Sequence, residues 1–547
     1  MSEIETSNLF AADSEEMRQQ KIDRFLPDIR KYLAHQSFPN IPPDPSIFSQ
    51  EQLAQRNGME WLGQVCCNLV VPESHEIEAQ QYQLEVFFNN LVASAGKMSS
   101  TFSEIYKKDY VESPVIAVDL ETTGLDTRVV YDKNKKLDPK TKIVGICLAT
   151  FHNIGYYLPV MHTGEDGIPN WDYAVIVAFL QKLTDTFLVL YHNAQYDKEV
   201  LSLNGVSPRG FPYYLDTMVL HYLQDVNEKT HKLKVVSEKL GRKMVEISDL
   251  FSEMGSKQKG FVQFNRLPAT NASVYGCSDA MNTYFIFYNL SSTPAEDNIF
   301  IQQHVSIKID HMLLDSLRVM YRTGFPVNIE YSLYACKDIV HRILNLENKI
   351  YEFVGRKINI ASPQQISKLL FDEYKVPVLP GMERGKPKKN SPGGLYSTSA
   401  DLLDALYEKY PQYPLLAYVV QYRQLEHALS TILAKFITNS YIDSVLPYAR
   451  SQVQYATTVA PTGRLSSASN GGRDQIIVKE TATGNITYNF DKGDWSSGVN
   501  TQAISKDEGK NKVLNCIKSL PVECGLNFED PYGKEVEVSF VERVAQI

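Results

Sequence analysis

Between residues 114 and 193 short apolar runs alternate with polar turns, a rhythm that predicts a sheet. The runs are VIAVDL from Val115, KIVGICLATF from Lys142, IGYYLPV from Ile154 and FLVLYHN from Phe187. Each has the length and the β-branched or aromatic content of a strand. His152-Asn153 is a polar break that predicts a hairpin, and Asp172 to Leu183 has helical length and spacing, so a mixed sheet flanked by helices is expected. Residues 1 to about 110 read as mostly helical, broken by the proline-rich stretch from Phe38 to Pro45. Trp61, Cys66 and Cys67 lie there in an apolar stretch and read as core. After about Ile299 long helical patterns take over, as in HMLLDSLRVMYRTG and YPLLAYVVQYRQLEHALSTILAKF, interrupted by the basic loop GMERGKPKKNSPGG. From Gln452 strand-like and turn-like sequence returns, punctuated by glycines.

Composition narrows this picture. At 547 residues and 43% hydrophobic the chain is too long for one core and too apolar to be disordered, which implies roughly two to four domains. The pattern divides it into residues 1–110, 111–298, 299–450 and 451–547. No apolar run approaches the roughly 18–20 residues of a membrane span, so no membrane partner and a soluble, cytoplasmic protein are expected. Seven cysteines without CxxC spacing or matching His pairs argue against a disulfide framework or a zinc site. A net charge of −9 excludes a basic coat, and directs any search for nucleic-acid contacts to local patches.

The chemistry lies in the acids. Asp119 and Glu121 end the first apolar run two positions apart, and alternation along a strand puts both on one face. Thr122-Thr123-Gly124 then favours a turn that leaves them at an open strand end. Asp197 follows another apolar strand, at the start of a helix, and Tyr275 and Asp279 share one face of a later helix at i, i+4 spacing. Four gathered carboxylates repel one another unless divalent cations neutralise them, and an all-oxygen donor set suits Mg²⁺ or Mn²⁺. A pair of such ions about 3.5–4 Å apart supports phosphodiester hydrolysis, with Tyr275 orienting the water.

VDLETTGLD, HNAQYD and YGCSDAMNTYFIF resemble the three exonuclease motifs of the proofreading domain in family A DNA polymerases, and YLDTMVLHY and His231 to Lys234 continue the likeness over about residues 114–290. The resemblance implies a ribonuclease H-like α/β fold for this region. It also implies that Asp119, Glu121, Asp197 and Asp279 hold two Mg²⁺ or Mn²⁺ ions, that Tyr275 positions the water, and that Leu125 and Asn193 hold a frayed 3′ end. For Leu125 ordinary turn packing, and for Asn193 capping of the following helix, stay open as alternatives.

Further on, MYRTGFPVN, NIASPQQ and YSTSAD are similar to the thumb of the same family. The loop carrying Lys386, Lys388 and Lys389 can neutralise phosphates without reading sequence. Thr462-Gly463-Arg464 resembles the entrance to the palm, where Arg464 is expected to contact a primer terminus through the minor groove. The resemblance therefore implies an exonuclease domain, a mainly α-helical thumb and a partial palm, containing an insertion from Asn470 to Val499. The family's polymerising motifs are not in the sequence. Asp494-Trp495-Ser496-Ser497 stands in the wrong place and lacks the glutamate, and Pro521 and Gly525 break any helix between Lys518 and Tyr532. The expected partners are a single-stranded 3′ end, a primer–template duplex and a second polypeptide supplying palm and fingers to a split or truncated polymerase of phage-like type. Two alternatives remain: a stand-alone exonuclease acting on RNA or DNA, and a subunit that only clamps DNA.

Overall fold

The computed structural model describes residues 50–57, 59–96, 113–125, 127, 141–163, 166–250, 264–294, 296–380, 382–386, 393–433, 440–442, 449–467, 475–480 and 486–491. The chain divides into two compact units. The first is Met1–Arg322 with Tyr455–Ser466, and the second is Thr323–Gln454 with Ser467–Ile547.

The first unit is built on a six-stranded sheet of β1 (Cys66–Leu69), β2 (Val115–Thr122), β3 (Ile143–Phe151), β4 (Ile154–Pro159), β5 (Leu188–Tyr191) and β6 (Tyr214–Asp216), in the order β1-β4-β3-β2-β5-β6. The four apolar runs are β2 to β5, and His152-Asn153 turns β3 back on β4. β3 is antiparallel to both neighbours, and the other pairs are parallel. Every residue of β5, and all of β3 but Phe151, is buried, as strands covered by helices require. The helices are α1 (Ile77–Ser94), α2 (Tyr173–Thr186), α3 (Ala194–Leu203), α4 (Thr217–Gln224), α5 (Leu233–Lys239), α6 (Ala269–Ser291) and α7 (His304–Thr323). Asp172 caps α2, accepting from the Ala174 and Val175 N–H groups, which is the start that the sequence predicts.

This unit reaches beyond the 111–298 span drawn from the sequence. β1 pairs with β4, and Phe87 and Phe88 of α1 pack on Phe179 of α2. Because β1 is an edge strand, Cys66 is exposed, which corrects its reading as core, while half-buried Trp61 and Cys67 pack against the core. A short apolar run does not by itself distinguish an edge strand from a buried segment. α7, expected among the later helices, is tied to α3 by ion pairs whose α3 partners are buried: Lys198 Nζ to Asp315 Oδ1 at 2.5 Å, and Arg322 Nε to Glu199 Oε1 at 2.7 Å.

The second unit is mainly helical, with α8 (Ile329–Val354), α9 (Pro363–Ser367), α10 (Ala400–Lys409) and α11 (Pro414–His427). Asn328 caps α8 and Gly355, at φ 74°, ends it. Ile339, Val340, Ile350, Leu403, Leu416 and Val419 lie in its core. β7 (Phe325–Val327), β8 (Ser440–Ile442) and β9 (Ala449–Ser451) form a small antiparallel sheet, and β10 (Gln475–Glu480) pairs with β11 (Ile486–Asp491) inside the insertion read from the sequence. Among the described residues no helix is long and apolar enough to cross a membrane.

Candidate metal centre

The pleat of β2 presents Asp119 and Glu121 on one face, both largely shielded. In the antiparallel register Asp119 stands opposite Cys147 of β3, and Glu121 opposite Gly145. One oxygen from each carboxylate and the Cys147 sulfur lie within 4.8 Å of one another. Asp197, in the first turn of α3, is buried, and its Oδ1 accepts from the Leu120 N–H at 3.2 Å. That bond ties the helix start to the backbone between the two β2 acids. α6 brings the fourth acid, Asp279, which is buried, and Tyr275 one turn earlier, hydrogen-bonded to Asp279.

α6 can lie this close to the sheet because two side chains are missing. A Cβ on Gly145 would sit 1.9 Å from the Tyr157 hydroxyl oxygen, and one on Gly276 would sit 2.3 Å from the Cys147 sulfur and 2.9 Å from Tyr157 Cδ2. Tyr157 fills the gap and is itself fixed by a 2.6 Å hydrogen bond to His162 Nε2.

All four carboxylates are harder to ionise than usual. Burial raises Asp119 from 3.8 to about 6, partly offset by a hydrogen bond from Cys147. Burial also holds Glu121 well above the carboxylate range, and the charges of Asp119, Asp279 and Asp197 push it further. Asp197 and Asp279 are likewise raised, by burial first and by the charge of Asp119 next. Lys234 of α5 opposes this at Glu121 and Asp279; its ammonium lies 2.9 Å from Glu246 and 5.2 Å from the Tyr275 ring centre. The Oδ1 atom of Asp279 is buried without a hydrogen-bond partner. A desolvated, mutually repelling oxygen donor set with an unmet acceptor fits hard divalent cations, which would supply the missing counter-charge.

The edge of the site is also ordered. Tyr196 of α3 hydrogen-bonds Thr122 Oγ1 at 2.6 Å and donates to the Gly124 carbonyl at 2.8 Å, fixing the turn that leads to exposed Leu125. Asn193 sits at φ 76°, ψ 56°, and its side chain makes no cap hydrogen bond. The capping alternative is therefore set aside: the carboxylate of Asp216 caps α3, accepting from the Asn193 and Ala194 N–H groups at 3.0 and 2.8 Å.

The other expected contacts lie elsewhere. Lys386 is exposed in the second unit, while Lys388 and Lys389, the segment 1–49 and the tail 506–547 lie outside the described residues. Arg464 is exposed in the segment Tyr455–Ser466, which belongs to the sheet unit, where Tyr222 donates to the Ala460 carbonyl at 2.8 Å. Sequence reasoning missed Cys147, Lys234 and Asp216. Asp216 carried a signal, an acid heading the apolar helix TMVLHYL, but Cys147 could be found only from the register of β3 against β2.

Residues 97–293 match the family model described as 3′-5′ exonuclease, and residues 333–481 the one described as DNA polymerase family A. The chain is similar to DNA polymerase I of Chloroflexus aurantiacus, 28% identical over 65% of this chain and 34% of that protein. It is 25% identical to the Pseudomonas aeruginosa enzyme over 71% and 38% of the two chains, and 25% identical to that of Borreliella burgdorferi over 82% and 42%. These relatives are bacterial, where the sequence pointed to a phage-like protein. The chain spans between 34% and 42% of their length. A solved structure, the POL domain of Pol1 from M. smegmatis in complex with DNA primer-template and dNTP, aligns with a TM-score of 0.42 and 18% identity over 68% of this chain and 53% of that one, too distant to add to the family matches.

Proposed function

We propose that this chain, which belongs to the family A DNA polymerases that carry a 3′-5′ exonuclease domain, removes nucleotides from DNA 3′ ends by hydrolysing the terminal phosphodiester. One observation carries the reading: Asp119, Glu121, Asp197 and Asp279 come from three separate elements to one desolvated place where an Asp279 oxygen lacks a partner. The sheet order, with β3 alone antiparallel between β4 and β2, supports a ribonuclease H-like domain.

Two Mg²⁺ or Mn²⁺ ions held by the four carboxylates would activate water and stabilise the leaving 3′ oxygen. The chain's own residues do the positioning. Tyr275 stays a neutral phenol, because the Asp279 charge and burial both raise it; it can hold a water by hydrogen bonding, with Asp279 fixing its orientation. Lys234 places a cation beside the acids, where a phosphate must approach. In this reading Leu125, just past the β2 end, stacks on the last nucleotide, and Asn193, at the α3 start, bonds to it.

The match over residues 333–481 supports a second role, primer–template binding through the helical unit, Lys386, Lys388, Lys389 and Arg464. In this reading the chain works in the cytoplasm with its DNA. The test is purified chain with Mg²⁺ and a 5′-labelled single strand. Stepwise shortening from the 3′ end, abolished in Asp119→Ala, is expected; no shortening, or shortening undiminished in Asp119→Ala, overturns the proposal. An RNA strand of the same sequence, degraded as fast, would transfer the reading to a nuclease indifferent to the sugar.

A further inference from the structure

Within the carboxylate site one donor is not an oxygen. Cys147 stands directly across from Asp119 in the β2–β3 pair, and side chains of directly opposed residues share a face of the sheet. Its sulfur and one oxygen from each of Asp119 and Glu121 are mutually within 4.8 Å. Donor atoms bound to one ion at about 2.0–2.3 Å lie roughly 3–4.5 Å from each other, so the three atoms are spaced for a single ion with little movement. The thiol is fully buried, and its position depends on the α6 backbone. The sulfur occupies the space where a Cβ on residue 276 would stand, 2.3 Å away, and glycine leaves that space open. Cys277, next along α6, lies against Gly155 of β4 instead.

Resting on the exonuclease reading above, we propose that Cys147 is a metal ligand alongside Asp119 and Glu121, and that it sets the preference of this site for thiophilic divalent ions over Mg²⁺. Oxygen donors alone suit Mg²⁺ and Mn²⁺ about equally in kind, whereas a sulfur donor favours Co²⁺, Zn²⁺ and Cd²⁺ and contributes least to Mg²⁺. On coordination the thiol gives its proton to solvent and the sulfur lone pair forms the bond to the ion. The carboxylate of Asp119 then loses its hydrogen bond from Cys147 and gains the ion.

The experiment uses the full chain and Co²⁺ as a spectroscopic probe, with binding followed by equilibrium dialysis and bonding by the near-ultraviolet sulfur-to-cobalt charge-transfer band. Wild type is expected to bind Co²⁺ and show the band. Cys147→Ser is expected to retain Co²⁺, lose the band and bind Cd²⁺ at least tenfold more weakly, whereas Cys67→Ser and Cys277→Ser keep the band. X-ray absorption at the cobalt edge of the wild-type protein needs no variant, and is expected to find one sulfur neighbour at about 2.3 Å. Co²⁺ that binds in an Asp119-dependent way with only oxygen or nitrogen neighbours would overturn the role of Cys147 and leave the carboxylate centre standing. Co²⁺ binding that is absent, or unaffected by Asp119→Asn, would overturn the centre itself.

Discussion

Replacing Asp119 with asparagine removes one of four crowded charges while keeping the side chain's shape, and the metal-free protein should become more stable for it. Burial raises Asp119 from 3.8 to about 6 on folding, a difference of about 2 units, worth about 3 kcal/mol when the group is forced to ionise. A carboxylate raised in the folded state contributes stability that is whole below pH 3.8 and is lost as pH rises through about 6. Metal-free wild type therefore forfeits up to about 3 kcal/mol at this residue by pH 8, and asparagine, which does not titrate, forfeits none. Asp119 keeps some solvent access, and the amide meets Cys147 and Glu121 less well, so a net gain of about 1–2 kcal/mol is expected, roughly 1–3 °C in a unit of this size. The assay is thermal unfolding of both proteins in EDTA at pH 8 and near pH 4. Asparagine should melt higher at pH 8, and the gap should close at the lower pH. Adding Mn²⁺ at pH 8 should reverse the order, because the ions stabilise the wild type that binds them. A variant less stable than wild type at pH 8 in EDTA, or a gap independent of pH, would refute the reasoning.

Three further outcomes follow from the packing. Tyr275→Phe keeps the ring against Phe264, centres 5.7 Å apart, so unfolding should shift by less than about 1 kcal/mol while nuclease kcat falls about 10–100-fold; a kcat close to wild type would remove Tyr275 from the site. Gly276→Ala drives a methyl into Cys147 and Tyr157 and should cost about 1–3 kcal/mol by overpacking, with a further loss of nuclease rate as Tyr275 and Asp279 are displaced, both read on the same preparation. Lys198→Met leaves Asp315 facing a buried site without its ammonium and should cost about 3–5 kcal/mol in urea unfolding. The double variant Lys198→Met/Asp315→Leu should recover part of that loss, and a single variant within 1 kcal/mol of wild type would show the pair to be dispensable.

Local pattern was enough for much of this protein. A strand of period two ending in Asp119-Leu120-Glu121, a two-residue break before Ile154, an aspartate before the helix at Tyr173 and a tyrosine one turn before Asp279 each state their own conformation, because strand alternation, turn chemistry, capping and helical spacing act over a few residues. The resemblance added what the four acids are for. Whatever joins distant segments needed the tertiary structure. No periodicity says that β1 docks beside β4, that Asp216 caps a helix beginning 22 residues earlier, or that α7 is fastened to α3. Nor could spacing reveal that a cysteine of β3 faces Asp119, since one step of register would turn its sulfur to the other side of the sheet. The acids were legible because each motif is local. Their desolvation was not, because burial exists only once the three elements have met.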